Sequence, residues 1–180
     1  MTAKSTRERI LAAAAQILEA EGVEGLTTRA VCDATGVTAP TLYHHFGNKD
    51  GLLTKLIHQS LDEFMTQKRS VALTENVIDD LARGWETWID FGVSRPRMFR
   101  LMIDASAANP EIMNESYAIM RRLVDRVADA GKLTIDTETA ALAIWAAANG
   151  VLVLFRKGVD AEVIKITANL MFDAIRKRIT

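Results

Sequence analysis

The segment from residue 27 to residue 53, TTRAVCDATGVTAPTLYHHFGNKDGLL, brings hydroxyl, imidazole and amino groups together within a short stretch of chain. Its pattern predicts two short helices joined by a tight turn and followed by the start of a long third helix. Two helices joined by a turn that contains glycine form a helix-turn-helix, whose second helix enters the major groove of DNA. The chemistry predicted for this segment is therefore recognition of DNA.

The remaining reactive side chains do not suggest catalysis. His44 and His45 are neighbours in sequence, and neighbours on a helix do not face each other, so they are poor joint ligands for one metal ion. Cys32 is the single cysteine, and nothing around it indicates a nucleophile. We therefore predict that the chain is not an enzyme and that it has no catalytic residue, no metal site and no cofactor.

Local signals place the elements that must position the segment. Thr27 or Thr28 is suited to cap the first short helix, and Thr38 to cap the second. Gly36 stands where the turn requires a positive φ, and Pro40 falls in the first helical turn, where its missing N–H costs nothing.

Helical signals also fill the rest of the chain, and no sustained alternation of apolar and polar residues predicts a strand. The predicted helices after the helix-turn-helix cover roughly 48–70, 75–94, 96–105, 109–130, 137–157 and 160–178, with Pro and Gly between several of them. The sequence thus predicts an all-α protein, divided into a DNA-binding domain at 1–50 and a helical domain at 51–180.

Composition limits the classes of protein to which the chain can belong. Hydrophobic residues make up 49% and charged residues 25%, which is typical of globular proteins, and the net charge of −1 means that any affinity for DNA comes from a local patch. The uncharged run 140–155 is shorter than a membrane span, so we expect a buried helix and no membrane. A single cysteine and a polar N-terminus indicate a cytoplasmic protein.

At this point the sequence resembles a known family, the TetR-type transcriptional regulators. The matching features are Leu26-Thr27-Thr28, Gly36-Val37, Pro40-Thr41-Leu42-Tyr43, His45-Phe46, Asn48-Lys49 and Leu52-Leu53. The resemblance implies a homodimer whose two recognition helices enter successive major grooves of a palindromic, double-stranded operator. It also implies a small effector that binds the C-terminal domain and releases the DNA, which is a coupling between two sites through a bistable element.

The resemblance assigns roles to the matching positions. Thr28 and Lys49 would contact phosphate from helix N-termini, through a hydroxyl and an ammonium group, and Tyr43 would do so through the OH that it projects from the recognition helix. The candidates for base contacts are Arg29, Thr38, Ala39, Pro40, Thr41 and His44. The recognition helix lacks Arg, Asn and Gln, so base reading would depend on Arg29, methyl contacts and DNA shape. Lys4, Arg7 and Arg9 would form an N-terminal arm on the backbone or in the minor groove.

The C-terminal domain contains many aromatic and methionine residues, which can line an adaptable apolar cavity. The predicted ligand-binding residues are Trp85, Trp88, Phe91, Met98, Phe99, Met102, Tyr117, Met120 and Asn149. Each of them could equally be ordinary core. As few charges lie among them, the expected effector is small and hydrophobic.

The last two helices carry apolar residues on more than one side, and such helices need two partners. A four-helix bundle with two helices from each subunit would supply them. The predicted dimer-interface residues are Leu142, Trp145, Leu152, Phe155, Val163, Ile166 and Leu170. The sequence therefore predicts a ligand-responsive transcriptional repressor. The alternative is an activator or partner-binding regulator that keeps the fold without a small ligand.

Overall fold

A computed structural model describes residues 5–70 and 72–180. Over these ranges the chain forms nine α-helices and one 3-10 turn, with no strand. The helices are α1 Thr6–Gly25, α2 Thr28–Thr35, α3 Ala39–Phe46, α4 Lys49–Ser70, α5 Val77–Ser94, α6 Pro96–Ala108, α7 Asn114–Asp129, α8 Thr137–Arg156 and α9 Ala161–Ile179. The prediction of an all-α chain is confirmed.

The first three helices form a small bundle around residues from each of them. Ile10 of α1, Val31 of α2 and Leu42 of α3 are each no more than 1% exposed, and Leu26 joins them between α1 and α2. Ser5 and Glu8 start α1 with a reciprocal capping box, in which the Ser5 hydroxyl accepts from the Glu8 N–H at 3.2 Å. These contacts fix α2 and α3 against α1.

The predicted caps and turn of the helix-turn-helix are confirmed. Thr27 accepts a hydrogen bond from the N–H of Ala30 at 3.1 Å, and Thr38 accepts one from the N–H of Thr41 at 3.4 Å. Gly36 ends α2 with φ 70°, a conformation that costs a residue with a Cβ about 1–2 kcal/mol.

α4 connects this bundle to the rest of the chain. It begins at Lys49 and runs without a break through the predicted boundary at residues 50 and 51. Leu52 and Leu56 are buried near the start of α4, and Phe64 and Met65 are buried further along it. The two predicted domains therefore share one continuous helix.

Helices α5 to α9 form a second bundle, in which α8 packs against α5, α6, α7 and α9. Its stretch Thr137–Phe155 is long and apolar enough to cross a membrane by length and composition alone, the single such stretch in the described part of the chain. The helix also forms much of the bundle core through Ile144, Val151 and Leu152.

One helix prediction was wrong in its extent. The range 109–130 is a 3-10 turn at Pro110–Met113 followed by α7, because Asn109 accepts a hydrogen bond from the N–H of Glu111 at 3.2 Å and Pro110 starts the turn. α6 also continues to Ala108, beyond the predicted end at residue 105.

Candidate nucleic-acid interface and interior pocket

α3 presents one face to the core and the other to solvent. Leu42 and Phe46 are buried, while Pro40, Tyr43 and His44 are exposed. Ala39 and Thr41 are half-buried, and Thr38 is exposed at the N-cap, where its hydroxyl lies 2.9 Å from that of Thr41. The exposed face contains all the base-contact candidates of α3, so the helix can be placed in a groove without disturbing its core.

Two candidate phosphate contacts lie side by side. The hydroxyl oxygens of Tyr43 and Thr28 are 3.2 Å apart, and the Tyr43 side chain is 46% exposed. Thr28 is the first residue of α2, where backbone N–H groups have no partner within the helix. The pair therefore offers two hydroxyls and a helix N-terminus to a single anionic group, such as a DNA phosphate.

Lys49 lies at the start of α4, on the exposed surface. Its ammonium group donates to the carbonyl oxygen of Val23 at 2.9 Å. Gly22, with φ 78°, interrupts α1 one residue before Val23. Asn48 accepts from the N–H of Gly51 at 2.8 Å and so caps α4. The positive charge of Lys49 thus lies at the N-terminus of α4, and both this charge and the helix N-terminus favour the binding of an anion.

The other basic residues of this region differ in their surroundings. Arg29 is 91% exposed, with its guanidinium 3.7 Å from Asp33, and Arg7 lies with its guanidinium carbon 6.0 Å from the centre of the Phe46 ring. Arg9 does not extend as an arm, because it donates to the carbonyl oxygen of Thr35 at 2.5 Å and so joins α1 to the end of α2. Lys4 lies outside the described residues.

The predicted ligand-binding aromatic residues pack against one another in the second bundle. The ring of Trp88 lies 5.3 Å from that of Phe64, 5.6 Å from Phe99 and 5.4 Å from Trp145. A small space of about 20 Å³ remains beside Trp85 and Trp88, and it also touches Trp145 and Met120. This volume is close to that of a single buried water, so the cluster is closed in this state.

The other predicted ligand residues surround the same cluster. Phe91, Met98 and Met102 are buried, whereas Tyr117 and Asn149 are half-buried. Tyr117 donates to Glu138 at 3.1 Å, and the Asn149 amide donates to the carbonyl oxygen of Trp145 at 2.8 Å. Their contact with a ligand stays a prediction.

A larger pocket, of about 420 Å³, lies between the end of α4, α5 and α7. None of the predicted ligand residues lines it. Its arginines are Arg69, Arg83, Arg122 and Arg126, its aspartates are Asp80, Asp125 and Asp129, and its other lining residues are Leu73, Gly84, Thr87, Ile119 and Leu123. The spacing of Arg122 and Arg126, four residues apart on one helix, was the one sequence signal that could have indicated this site.

Asp80 binds two of the arginines that line this pocket. Its carboxylate is fully buried and accepts hydrogen bonds from Arg83, from Arg126 and from the backbone N–H and the hydroxyl of Thr74. Burial by itself raises the pKa of Asp80, but these hydrogen bonds and the charge of Arg83 outweigh it and lower the pKa from 3.8 to about 2. Asp80 is therefore ionised throughout the neutral range.

The outer face of α8 and α9 is apolar and exposed. Leu142 and Val163 are each 50% exposed, Ile166 is 54% and Leu170 is 67% exposed. Trp145 and Phe155 are half-buried, and the Trp145 ring packs inward on Trp88. Leu152 does not lie on this face, because it is fully buried against Gly92 of α5. Of the ten exposed large hydrophobic residues in the described ranges, seven belong to these two helices.

The sequence of this chain is similar to those of known proteins. Residues 10–56 match the model of the family described as "Bacterial regulatory proteins, tetR family". The class A tetracycline repressor from transposon 1721 of Escherichia coli is 36% identical over 91 residues, which are 51% of this chain and 37% of the repressor. The regulator UidR of Escherichia coli K12 is 24% identical over 145 residues, which are 77% of this chain and 74% of UidR.

Solved structures show the same fold. A TetR transcription regulator from Haloarcula marismortui superposes with a TM-score of 0.81 at 16% identity, covering 97% of each chain. The regulator PfmR from Thermus thermophilus superposes with a TM-score of 0.69 at 21% identity, covering 94% of this chain and 97% of PfmR.

These findings first define a class, the helical proteins that present a helix-turn-helix at their N-terminus, and they confirm the helix-turn-helix. Within that class, the chain belongs to the TetR family of bacterial transcriptional regulators. Members of this family are regulators and not enzymes.

Proposed function

We propose that this regulator represses transcription as a homodimer bound to a two-fold symmetric operator, and that a small effector releases it. The observation that carries the DNA-binding part is the pair formed by the Thr28 and Tyr43 hydroxyls, which lie 3.2 Å apart at the N-terminus of α2. Lys49 adds an exposed positive charge at the N-terminus of α4. Such groups fix the position of a protein on DNA phosphates without reading sequence.

These three residues explain how a chain with a net charge of −1 can hold DNA. Binding requires a local surface that neutralises a few phosphates, and the rest of the molecule can stay acidic or neutral. Base reading then depends on Arg29, whose side chain is 91% exposed, and on the small residues at the start of α3. We expect modest direct readout and a larger share from DNA shape.

A dimer is the assembly that the apolar face of α8 and α9 supports. Val163, Ile166 and Leu170 follow one another at helical spacing on α9, and Leu142 lies on the neighbouring helix α8. Paired with its copy, this face forms a four-helix interface with two-fold symmetry. The dimer also brings two recognition helices together, which reading two half-sites about 34–36 Å apart requires.

The effector response rests on the position of the 420 Å³ pocket. α4 has Lys49 at its first residue, on the candidate DNA surface, and Arg69 in its last turn, in the pocket wall. A helix of this length spans about 30 Å at 1.5 Å per residue. A ligand that moves the end of α4 would therefore move Lys49. The name of one relative, a tetracycline repressor, supports repression, and a cytoplasmic location follows from the same role.

Binding to random-sequence DNA tests the phosphate contacts without knowledge of the operator. For the variant Lys49→Gln, the slope of log affinity against log salt should fall by about 1, because one phosphate contact loses its charge. For Tyr43→Phe, affinity should fall while the slope stays the same, because only a neutral hydroxyl is lost. Lys132→Gln, an exposed lysine of the second bundle, is the matched control. If both variants at 43 and 49 bind as tightly as the parent protein, this surface does not hold DNA.

Selection from a pool of random duplexes tests specificity. Duplexes of roughly 30 base pairs can hold two half-sites one helical turn apart. The full-length protein should enrich a sequence with two-fold symmetry. Enrichment of an asymmetric site, or none at all, would contradict a dimeric operator-binding repressor.

A further inference from the structure

The outer pocket and the small inner space share one wall. Gly84 of α5 and Leu123 of α7 line both of them. The contact is tight, since a Cβ added at Gly84 would lie 2.4 Å from Leu123 Cδ1. On one side of this wall are the arginines, and on the other are Trp85, Trp88 and Trp145.

The outer side favours an anion with one charge. Two of its arginines, Arg83 and Arg126, are bound to Asp80, and Arg69 pairs with Glu115. Arg122 is exposed and makes no hydrogen bond or ion pair with any described residue. The pocket is also lined by three aspartates, Asp80, Asp125 and Asp129. A carboxylate can pair with the guanidinium of Arg122 through two parallel hydrogen bonds, whereas a dianion would bring a second negative charge close to the aspartates.

The inner side favours an apolar group. Three tryptophans, Met120, Leu81 and Ile144 surround the inner space, and they can adapt to an inserted hydrocarbon chain. The Nε1 atom of Trp85 is buried without a hydrogen-bond partner, so the cluster is not optimised as a closed core. Of the two residues that line both spaces, Leu123 is the one with a side chain, so its movement is the step that we expect to join them.

We propose that the effector is an amphipathic monocarboxylate, whose carboxylate binds Arg122 and whose hydrocarbon tail passes Leu123 into the space among the three tryptophans. This inference rests on the proposed function for the statement that the pocket takes an effector, and it names the chemical class. It also unites Trp85 and Trp88, which the sequence predicted as ligand-binding residues, with the arginine pocket that the fold creates.

Titration of the full-length protein with decanoate tests the inference. All three tryptophans of the chain line the inner space, so an entering tail should change the intrinsic fluorescence. Calorimetry measures the affinity. Decanoate should bind and change the fluorescence, whereas 1-decanol should bind far more weakly. Butanoate should bind without changing the fluorescence, because its tail ends in the outer pocket.

Two variants test the binding of the carboxylate and of the hydrocarbon tail separately. Arg122→Gln should weaken decanoate binding roughly ten- to hundred-fold, the usual loss for a charged hydrogen bond, while Arg100→Gln on the surface of α6 should leave it unchanged. Gly84→Ala adds a methyl to the shared wall and should weaken decanoate but not butanoate. Circular dichroism checks that each variant is folded.

Each outcome bears on the inference. Equal binding of decanol and decanoate, an Arg122→Gln variant with unchanged affinity, or no decanoate binding at all would overturn it. A protein that binds operator DNA but not decanoate would refute the ligand class and leave the repressor intact. A protein that binds decanoate but no DNA would refute the proposed function and leave the ligand class intact.

Discussion

Replacement of Asp80 by Asn removes the charge that holds the α5–α7 side of the pocket together. The carboxylate is fully buried and accepts bonds from Arg83, Arg126 and Thr74. Its pKa of about 2, against an ordinary value of 3.8, corresponds to about 2 kcal/mol of folding free energy at neutral pH. Hydrogen bonds to a charged group are usually worth a similar amount, about 1.5–3 kcal/mol. We therefore expect Asp80→Asn to lower the free energy of unfolding by about 2 kcal/mol.

The pH dependence has a definite sign. Because folding lowers the pKa of Asp80, its contribution is complete above the unfolded value of 3.8 and is lost as the pH falls through about 2. Roughly half of the difference between parent and variant should remain at about pH 3. Urea unfolding, followed by circular dichroism at neutral pH and at about pH 3, measures this difference in stability. Asp62→Asn, on the exposed side of α4, is the control. A variant as stable as the parent at neutral pH, or a difference that grows in acid, would refute the reasoning.

Two further substitutions test the proposed dimer interface and the contact between α1 and α6. Leu170→Glu places a charge on the most exposed apolar residue of α9, and it should convert a dimer to monomers in sedimentation, while Lys177→Glu near the end of the same helix should not. A parent protein that sediments as a monomer would contradict the proposed interface. Glu19→Ala removes the carboxylate that caps α6 and should cost about 1 kcal/mol in urea unfolding, whereas Glu24→Ala on the exposed surface should change stability by less than about 0.5 kcal/mol. Equal effects at 19 and 24 would show that the cap contributes nothing.

Local signals accounted for most of the first bundle. Thr27, Gly36 and Thr38 act within three or four residues of their own positions, so their roles as caps and turn could be predicted from sequence. Arg9 could not be placed in the same way. Its partner is the carbonyl oxygen of Thr35, 26 residues away, and the pairing of α1 with α2 brings them together.

The contacts of the second bundle were harder to predict from the sequence for the same reason. Asp80 and Arg126 are 46 residues apart, and nothing near either one indicates that α5 and α7 pack with these side chains in contact. Composition predicted Trp85 and Trp88 as ligand-binding residues, but it could not show that they pack with Trp145 in a closed cluster or that a larger pocket lies beyond Leu123. Leu152 illustrates the limit on α8, since an uncharged run does not reveal which of its faces meets Gly92 and which meets solvent.

Among the contacts that join the two bundles in the described ranges, two constrain any coupling between effector and DNA. α4 is one of them. The other is Glu19 of α1, whose carboxylate accepts from the N–H of Met98 at 2.8 Å and from that of Arg97 at 3.4 Å. α6 has no side-chain cap of its own, so a residue of the first bundle satisfies its free N–H groups. When α6 shifts relative to α4, it must therefore either break this cap or carry α1 along with it. Since α1 is joined to α2 by Arg9 and packs against it, the second course rotates the helix-turn-helix as a unit, which is how a ligand at the far end of α4 could change the fit of α3 to DNA without deforming α3 itself.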